Sequence, residues 1–243
     1  MVVRSFAGGF SGGTVVSMLE VLRTASADPE ARRVMNDPYT LTPDRGAEPE
    51  LGGQPDARWR RGGEIAPELD GYWTGAFLMA PINTRIVRRS NALLDYAYGR
   101  RFEYAEQMSL GKSIVAPVAA AMATAGNAAT MALGSRYFDR LPRKLVERKP
   151  GSGPSERARE HGHYTVETYT TTTSGARYRT VMSQKGDPSY KATSVLLGES
   201  GLALALDRDR LSDLRGVLTP AAAMGTRCWL DCPAPVCHWR RPD

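Results

Sequence analysis

Apolar residues first recur with a helical period close to the start of the chain. The stretch Arg4–Arg23 predicts the end of a strand, then a glycine-rich turn, and then an amphipathic helix that opens at Gly12. Asp28 and Pro29 suit the cap and first turn of a second, short helix that ends near Asn36. The apolar stripe of the first helix consists of Val15, Met18, Leu19, Leu22 and Ala25.

The helical period is lost from residue 39 to residue 71, where proline, glycine and charged residues are frequent. We expect a long loop or lid there, or a disordered insert. Beyond it, the pattern predicts a buried strand over Tyr72–Ala80, a helix from about Arg85 to Tyr98 and a strand over Phe102–Leu110. Asn83 or Thr84 would cap that helix, which explains these polar residues better than a substrate contact does. The apolar side of the helix includes Ile86, Leu93, Leu94 and Ala97.

Alternation of β-branched and aromatic residues predicts an antiparallel hairpin in the second half of the chain. Its strands are expected over His163–Thr172 and Arg177–Ser183. A strong helix is then predicted after Asp187, which serves as its N-cap. A short strand over Val217–Thr219 and a capped helix over Ala221–Met224 complete the predicted elements.

The stretch Ser113–Ser135 carries no charge at all. It is long enough to span a bilayer, but alanine gains little from transfer to lipid, so insertion would be marginal. Two interpretations remain open. The segment forms a helix or hairpin packed on a membrane surface, with the basic residues that follow it at the headgroups, or it forms a buried alanine-rich helix. The first would place a cytoplasmic protein at the inner face of the plasma membrane.

A net charge of +6 and a pI near 9.4 make nucleic acid, anionic headgroups and acidic carrier proteins conceivable partners. The basic residues come in short pairs without a nucleic-acid motif, so we expect solvated surface and no nucleic-acid partner. The start lacks the apolar core of a signal peptide, and all three cysteines lie after residue 227, which suits a reducing cytoplasm. In the atypical tail, residues 226–243, no standard zinc spacing relates Cys228, Cys232, Cys237 and His238, and we expect no metal.

The glycine turn is the first candidate for chemistry. Glycines allow a ligand to approach main-chain N–H groups, and the start of a helix favours an anionic or carbonyl oxygen. However, the spacing does not give the G-x-G-x-x-G of a dinucleotide site, and no second parallel strand with a terminal acidic residue follows. We therefore expect no cofactor-binding residues in this chain. A substrate-facing loop formed by Ser11, Gly12, Gly13 and Thr14 and a plain strand–helix turn both remain open.

Two further residues are candidates for catalysis. Glu199 falls inside the apolar stripe of the helix that follows Asp187, and a carboxylate facing a core must be paired, hydrogen-bonded or protonated. An ordinary buried ion pair with one of the many arginines explains Glu199 better than a functional role does. Tyr190 is a candidate because of its place at the start of the same helix.

Four short motifs carry a resemblance to a known family. The segments Phe10–Glu20, Asn36–Tyr39, Tyr190–Thr193 and Gly216–Gly225 resemble the saccharopine dehydrogenase-like oxidoreductases, and most closely the mycobacterial trans-acting enoyl reductases. The resemblance extends over nearly all of residues 2–225 in one order. The tail after Gly225 departs from it.

The resemblance implies the fold and the activity. Residues 1–225 would be an α+β domain with a mixed, largely antiparallel sheet packed with helices, the second domain of that family. Its enzymes reduce an enoyl double bond on polyketide-derived acyl chains in cell-envelope glycolipid synthesis. These enzymes take hydride from NADP(H), act on a carrier-bound acyl substrate and work beside a polyketide synthase. A homo-oligomer is also compatible with the resemblance.

The Rossmann domain of the family precedes this second domain, and nothing in the chain matches it. We therefore expect a fragment of an oxidoreductase that is inactive alone. The alternative is a non-catalytic module that binds acyl chains or a membrane surface.

Overall fold

The computed structural model describes residues 1–137, 153–225 and 237–240 of the 243-residue chain. This part of the chain contains seven strands and seven α-helices. The strands are β1 (Val2–Ala7), β2 (Arg60–Arg61), β3 (Trp73–Ala76), β4 (Gln107–Ser109), β5 (His163–Thr171), β6 (Arg177–Lys185) and β7 (Cys237–Arg240). The helices are α1 (Gly12–Ala27), α2 (Pro29–Asn36), α3 (Ala80–Leu93), α4 (Ala116–Tyr137), α5 (Glu156–His161), α6 (Lys191–Leu206) and α7 (Pro220–Met224).

All seven strands form one sheet in the order β2-β3-β4-β1-β5-β6-β7. The pair β1–β4 is parallel, and the five other pairs of described strands are antiparallel. The first strand therefore lies in the middle of the sheet, where Val2 is opposite Gln107 on one side and Glu167 on the other. The predicted class, a mixed and largely antiparallel sheet packed with helices, is confirmed.

Local sequence explains where several helices begin. Ser11 caps α1 by accepting a hydrogen bond from the Thr14 amide, and Asp28 caps α2 in the same way ahead of Pro29. Thr219 caps α7 through the Ala222 amide. The boundaries predicted for α1 and α2 are confirmed, and so is the β5–β6 hairpin. Residues Val217–Thr219, predicted as a strand, are not one.

The alanine-rich helix α4 lies directly on the sheet. A Cβ atom added to Gly75 of β3 would be 2.7 Å from the Ala120 carbonyl oxygen, so the two backbones approach with no side chain between them. The Thr124 hydroxyl accepts a hydrogen bond of 2.9 Å from the Ala76 amide. Within the described ranges, no helix combines the length and apolarity that crossing a membrane requires.

The segment from residue 39 to residue 71 is largely irregular, as predicted, and part of it is buried. Ala66 and Leu69 are fully buried and pack against Val2 of the central strand, with Ile65 and Tyr169 around them. The segment thus supplies part of the core. The sequence missed this because Leu69 lies in a short 3₁₀ turn and Ala66 directly precedes it, so neither shows a helical or strand period.

The prediction for α3 was wrong in both position and buried side. The helix begins at Ala80 rather than Arg85, because Pro81 suits a first helical turn. Asn83 and Thr84 therefore lie within the helix and do not cap it. Ile86, expected on the apolar side, is 38% exposed. The buried residues of α3 are mostly polar: Ala80, Thr84, Arg85, Arg88, Ser90 and Asn91.

The two strands around α3 are shorter than predicted, since β3 and β4 cover only four and three residues. The atypical tail is described only in part. Its residues Cys237–Arg240 pair with β6, with Trp239 opposite Thr180. The cysteines at positions 228 and 232 lie outside the described residues.

Candidate functional site

The glycine turn joins β1, the central strand, to α1. Ser11 is buried, and its Oγ accepts a hydrogen bond of 3.0 Å from the Thr14 amide and shares one of 2.8 Å with the Thr14 hydroxyl. Gly12 is buried and Gly13 is exposed. The four predicted substrate-binding residues therefore form the capped first turn of α1, whose leading N–H groups have no partner within the helix. One carbonyl or carboxylate oxygen suits such a turn.

Asp187 occupies the space beside this turn. It is fully buried, and its carboxylate accepts hydrogen bonds of 3.0 to 3.1 Å from the amides of Ser189, Tyr190 and Lys191. Gly8 has a φ of +142°, and a Cβ atom there would be 2.9 Å from Asp187 Cβ. The start of α6 is thus held against the glycine turn by a position that only glycine fits.

The structure brings Tyr190 to the same region as Ser11–Thr14. The Ser189 hydroxyl donates a hydrogen bond to the Gly9 carbonyl, and the Tyr190 ring packs against Gly153. Tyr190 is 38% exposed. Tyr190 directly precedes the first residue of α6, so it lies three residues after Asp187, where the helix was predicted to start. Asp187 lies outside the helix, and its carboxylate binds the first amides.

Glu199 does not join this group. It is exposed, so the premise that made it a candidate, a carboxylate facing the core, is wrong. The buried residues of α6 are Ala192 and Ala203, and three residues of its predicted apolar stripe, Val195, Leu202 and Leu206, are exposed. Glu199 lies nine residues beyond Tyr190, about 13 Å along the helix axis.

The glycine turn does not fit the diphosphate of a dinucleotide. The space beside Gly8 is filled by Asp187, and a Cβ atom on Gly9 would be 3.2 Å from the ring of Pro154. These glycines therefore permit close packing of protein on protein, rather than the approach of a ligand. The neighbouring carboxylate would also repel phosphate charge. The glycine turn therefore offers no fit for the diphosphate of the NADP(H) that the family resemblance implies.

A second cluster, which the sequence did not single out, surrounds Tyr72 on the sheet. The Arg4 guanidinium lies 4.1 Å and the Lys112 ammonium 4.4 Å from the centroid of the Tyr72 ring. Main-chain pairing between Trp73 and Gly111 brings Tyr72 and Lys112 together at the end of β4. The contacts of Arg4 and Lys112 with the Tyr72 ring are both of the cation–π type. We call Arg4, Tyr72 and Lys112 the Tyr72 cluster.

A buried carboxylate borders the Tyr72 cluster. Glu167 of β5 accepts a hydrogen bond of 2.8 Å from Arg179 and another from the Tyr169 hydroxyl. Its carboxylate also lies 3.6 Å from the Arg4 guanidinium. Burial raises the pKa of the Tyr169 phenol, and its hydrogen bond to Glu167 raises that pKa further. Arg4 and Arg179 thus both lie against the carboxylate of Glu167.

The Tyr72 cluster combines cations with a phenol, a pairing that can take part in acid–base chemistry. A cation stabilises the carbonyl oxygen as negative charge develops on it, and a phenol supplies the proton that the neighbouring carbon takes up. Lys112 is exposed and Tyr72 is half-buried, so a ligand can reach both. From the sequence, Arg4 and Tyr72 were recognised only as parts of predicted strands, and no local pattern marks Lys112. Pairing between strands brings the three residues together, so no local pattern could show the cluster.

A third cluster is structural. Asp56 accepts hydrogen bonds from Arg85 at 3.0 Å, Arg88 at 3.3 Å and Thr84 at 2.6 Å. These contacts fix the segment before β2 to the polar side of α3. They explain how α3 buries two arginines without an apolar face.

Glu106 is the other buried carboxylate of this region. It is 2% exposed and accepts hydrogen bonds from Asn83 and Tyr104. Burial raises the pKa of Glu106, and the two hydrogen bonds partly oppose that shift. Asn83 therefore serves this buried carboxylate and not a substrate.

Across residues 1–137, 153–225 and 237–240, no group of three His, Cys, Asp or Glu side chains could hold a metal ion. His161 and His163 are both exposed.

Comparison with known proteins identifies close relatives. Over 227 residues the chain is 68% identical to a protein of Mycobacterium tuberculosis named "Putative trans-acting enoyl reductase". It is also 65% identical to a trans-acting enoyl reductase of Mycobacterium bovis and 62% identical to one of Mycobacterium ulcerans, each over 229 residues.

These similarities cover 92 to 93% of this chain but only 54% of each relative. The chain thus spans about half the length of the curated relatives it matches. No protein-family model matches the sequence, and no solved structure is similar to it.

Proposed function

We propose that this chain is the acyl-substrate part of a trans-acting enoyl reductase, a second domain of the saccharopine dehydrogenase-like type. The observation that carries the proposal is the 68% identity with a relative of that name over 92% of the chain. The substrate would be an enoyl thioester on a carrier, as in the assembly of cell-envelope lipids beside a polyketide synthase. The hydride donor, NADP(H), would bind to the part of the relatives that this chain does not match.

Within this proposal the Tyr72 cluster receives the thioester. Lys112 and Arg4 hold the carbonyl oxygen while it gains negative charge. Tyr72 gives a proton to the carbon next to the carbonyl group. Ser11–Thr14, where Gly13 is exposed, bind a second polar group of the substrate through main-chain N–H groups at the start of α1.

Binding by the chain alone provides the first test. We expect an enoyl-pantetheine thioester to bind, and Lys112→Gln to weaken that binding about tenfold by removing one charge-assisted contact. Arg61→Gln is the matched control, because Arg61 lies over Trp73, 5.3 Å from its ring centroid, and not over Tyr72. NADPH fluorescence should not change when the chain is added. Tight NADPH binding, or equal effects of the two variants, would contradict the proposal.

Activity requires the whole enzyme. We would insert this chain in place of the matching 227 residues of the M. tuberculosis relative and follow NADPH oxidation with an enoyl thioester. Tyr72→Phe should lower kcat about 100-fold with little change in KM, because general-acid catalysis contributes at least that factor. Tyr178→Phe, a half-exposed tyrosine of β6, is the control. An active Tyr72→Phe enzyme would remove Tyr72 from the mechanism.

A further inference from the structure

The outward side of α4 is apolar. Val118, Met122 and Leu133 are 61%, 69% and 58% exposed, and at 100° per residue they lie within about 60° of one another around the helix. The exposed residues between them on that side are Ala125 and Ala129. We call these five residues the α4 ridge. It is about 22 Å long.

A cleft runs along the flank of the ridge, between α4 and α2. It has a volume of about 280 Å³, and its lining residues are Arg32, Asn36, Ala128, Met131, Ala132 and Arg136. We call it the α2–α4 cleft. Among the described residues, two guanidinium groups and a carboxamide line it together with apolar side chains, and none of these lining residues is a carboxylate. Arg32 is fixed there by a hydrogen bond of 3.3 Å from its Nη1 to the Ala25 carbonyl.

The cleft and the ridge meet at Arg136. This residue lies 18 positions, or five helical turns, beyond Val118, so it continues the line of the ridge. An uncharged strip therefore ends in a cation beside a cationic cleft. Such an arrangement matches an amphiphile whose anionic head and apolar chain are joined end to end.

We propose that the α2–α4 cleft binds the phosphate of an anionic phospholipid at a membrane surface, with the α4 ridge in contact with the acyl chains. Charge complementarity favours this occupant, because basic side chains next to an apolar helix face are attracted to anionic leaflets. The absence of any charge from Ser113 to Ser135 suits the ridge to acyl chains. The proposal does not depend on the reductase assignment.

Vesicle flotation of the chain tests the proposal, with phosphatidylcholine vesicles and with vesicles that also contain phosphatidylglycerol. We expect flotation only with the anionic vesicles. Arg136→Gln should weaken partitioning about fivefold, the effect of one basic residue near an anionic surface. Arg33→Gln is the matched control, since Arg33 is an exposed arginine of α2 that pairs with Glu30 and does not line the cleft.

A second pair of variants tests the ridge. Met122→Gln should weaken partitioning about tenfold, because it removes apolar burial in the lipid. Thr130→Gln, an exposed change on another side of α4, should have little effect. Equal losses for Arg136→Gln and Arg33→Gln would reduce the interaction to general charge and overturn the site. Flotation that Met122→Gln leaves unchanged would overturn the ridge.

Two further measurements exclude other occupants. Millimolar glycerol phosphate should not release the bound chain; release would show a site for a free phosphate rather than for a membrane. The hybrid enzyme described above should float as the chain does. If it does not, the rest of the relative covers the ridge and the proposal is wrong. Neither readout depends on thioester binding, so this proposal and the reductase proposal fail separately.

Discussion

The contact between the glycine turn and Asp187 leads to a quantitative prediction for Gly8→Ala. Gly8 has a φ of +142°, and side chains held in such regions cost about 1 to 3 kcal/mol. The added Cβ atom would also lie 2.9 Å from Asp187 Cβ and 3.3 Å from Pro188 Cδ, and overpacking of this kind costs a similar amount. We expect the free energy of unfolding to fall by about 3 kcal/mol after allowing for the restricted unfolded chain.

Gly13→Ala is the matched control in the same turn. A Cβ atom there meets only the Ser11 hydroxyl, at 3.8 Å, and the residue is exposed. Its stability should change by less than about 1 kcal/mol, in the stabilising direction. Urea unfolding followed by circular dichroism would show a midpoint about 1 M lower for Gly8→Ala. Equal midpoints for the two variants would refute the packing of α6 against this turn.

Three further predictions follow from other contacts. Asp56→Asn should lower the free energy of unfolding by about 3 kcal/mol in urea titrations, because the buried Arg85 and Arg88 lose the charge that compensates them; an unchanged midpoint would contradict that role. Because the pKa of Glu106 is raised, the folded state binds the proton of this carboxyl group more tightly than the unfolded state does. The contribution of Glu106 to stability therefore falls as pH rises above about 4.5. Glu106→Gln should flatten the pH dependence of the urea midpoint. Gly75→Ala should push α4 from β3 and destabilise the fold by about 2 kcal/mol in thermal unfolding, whereas a wild-type melting temperature would argue against this close approach.

Elements with strong local signals were predictable from the sequence. Ser11, Asp28 and Thr219 are hydrogen-bonding caps at the starts of helices, and the alternating pattern after His163 gives a nine-residue strand. In each case the information lies within a few residues. The position of α3 was missed because its buried side chains are mostly arginine, threonine and asparagine, which pair with Asp56 and with main-chain groups rather than forming an apolar stripe.

The candidate site was predictable only in its local half. Ser11–Thr14 and Tyr190 each mark a helix start, and the structure brings them to one region. The Tyr72 cluster depends on pairing between strands far apart in sequence, so no window of the chain contains it. Glu199 shows the opposite error: an apolar stripe predicts a buried side, but most of α6 is exposed and its apolar residues lie on the surface.

The central place of β1 has a consequence for how the protein is made. Its neighbours in the sheet begin at residues 107 and 163, so β1 waits for partners that are synthesised much later. At ordinary translation rates the interval before β5 appears is roughly 8 to 30 s. During this time Val2 and Val3, both buried in the finished sheet, have no partner strand. We expect a chaperone to shield nascent β1. We also expect the yield of folded protein to rise when translation is slowed only once β5 has been synthesised.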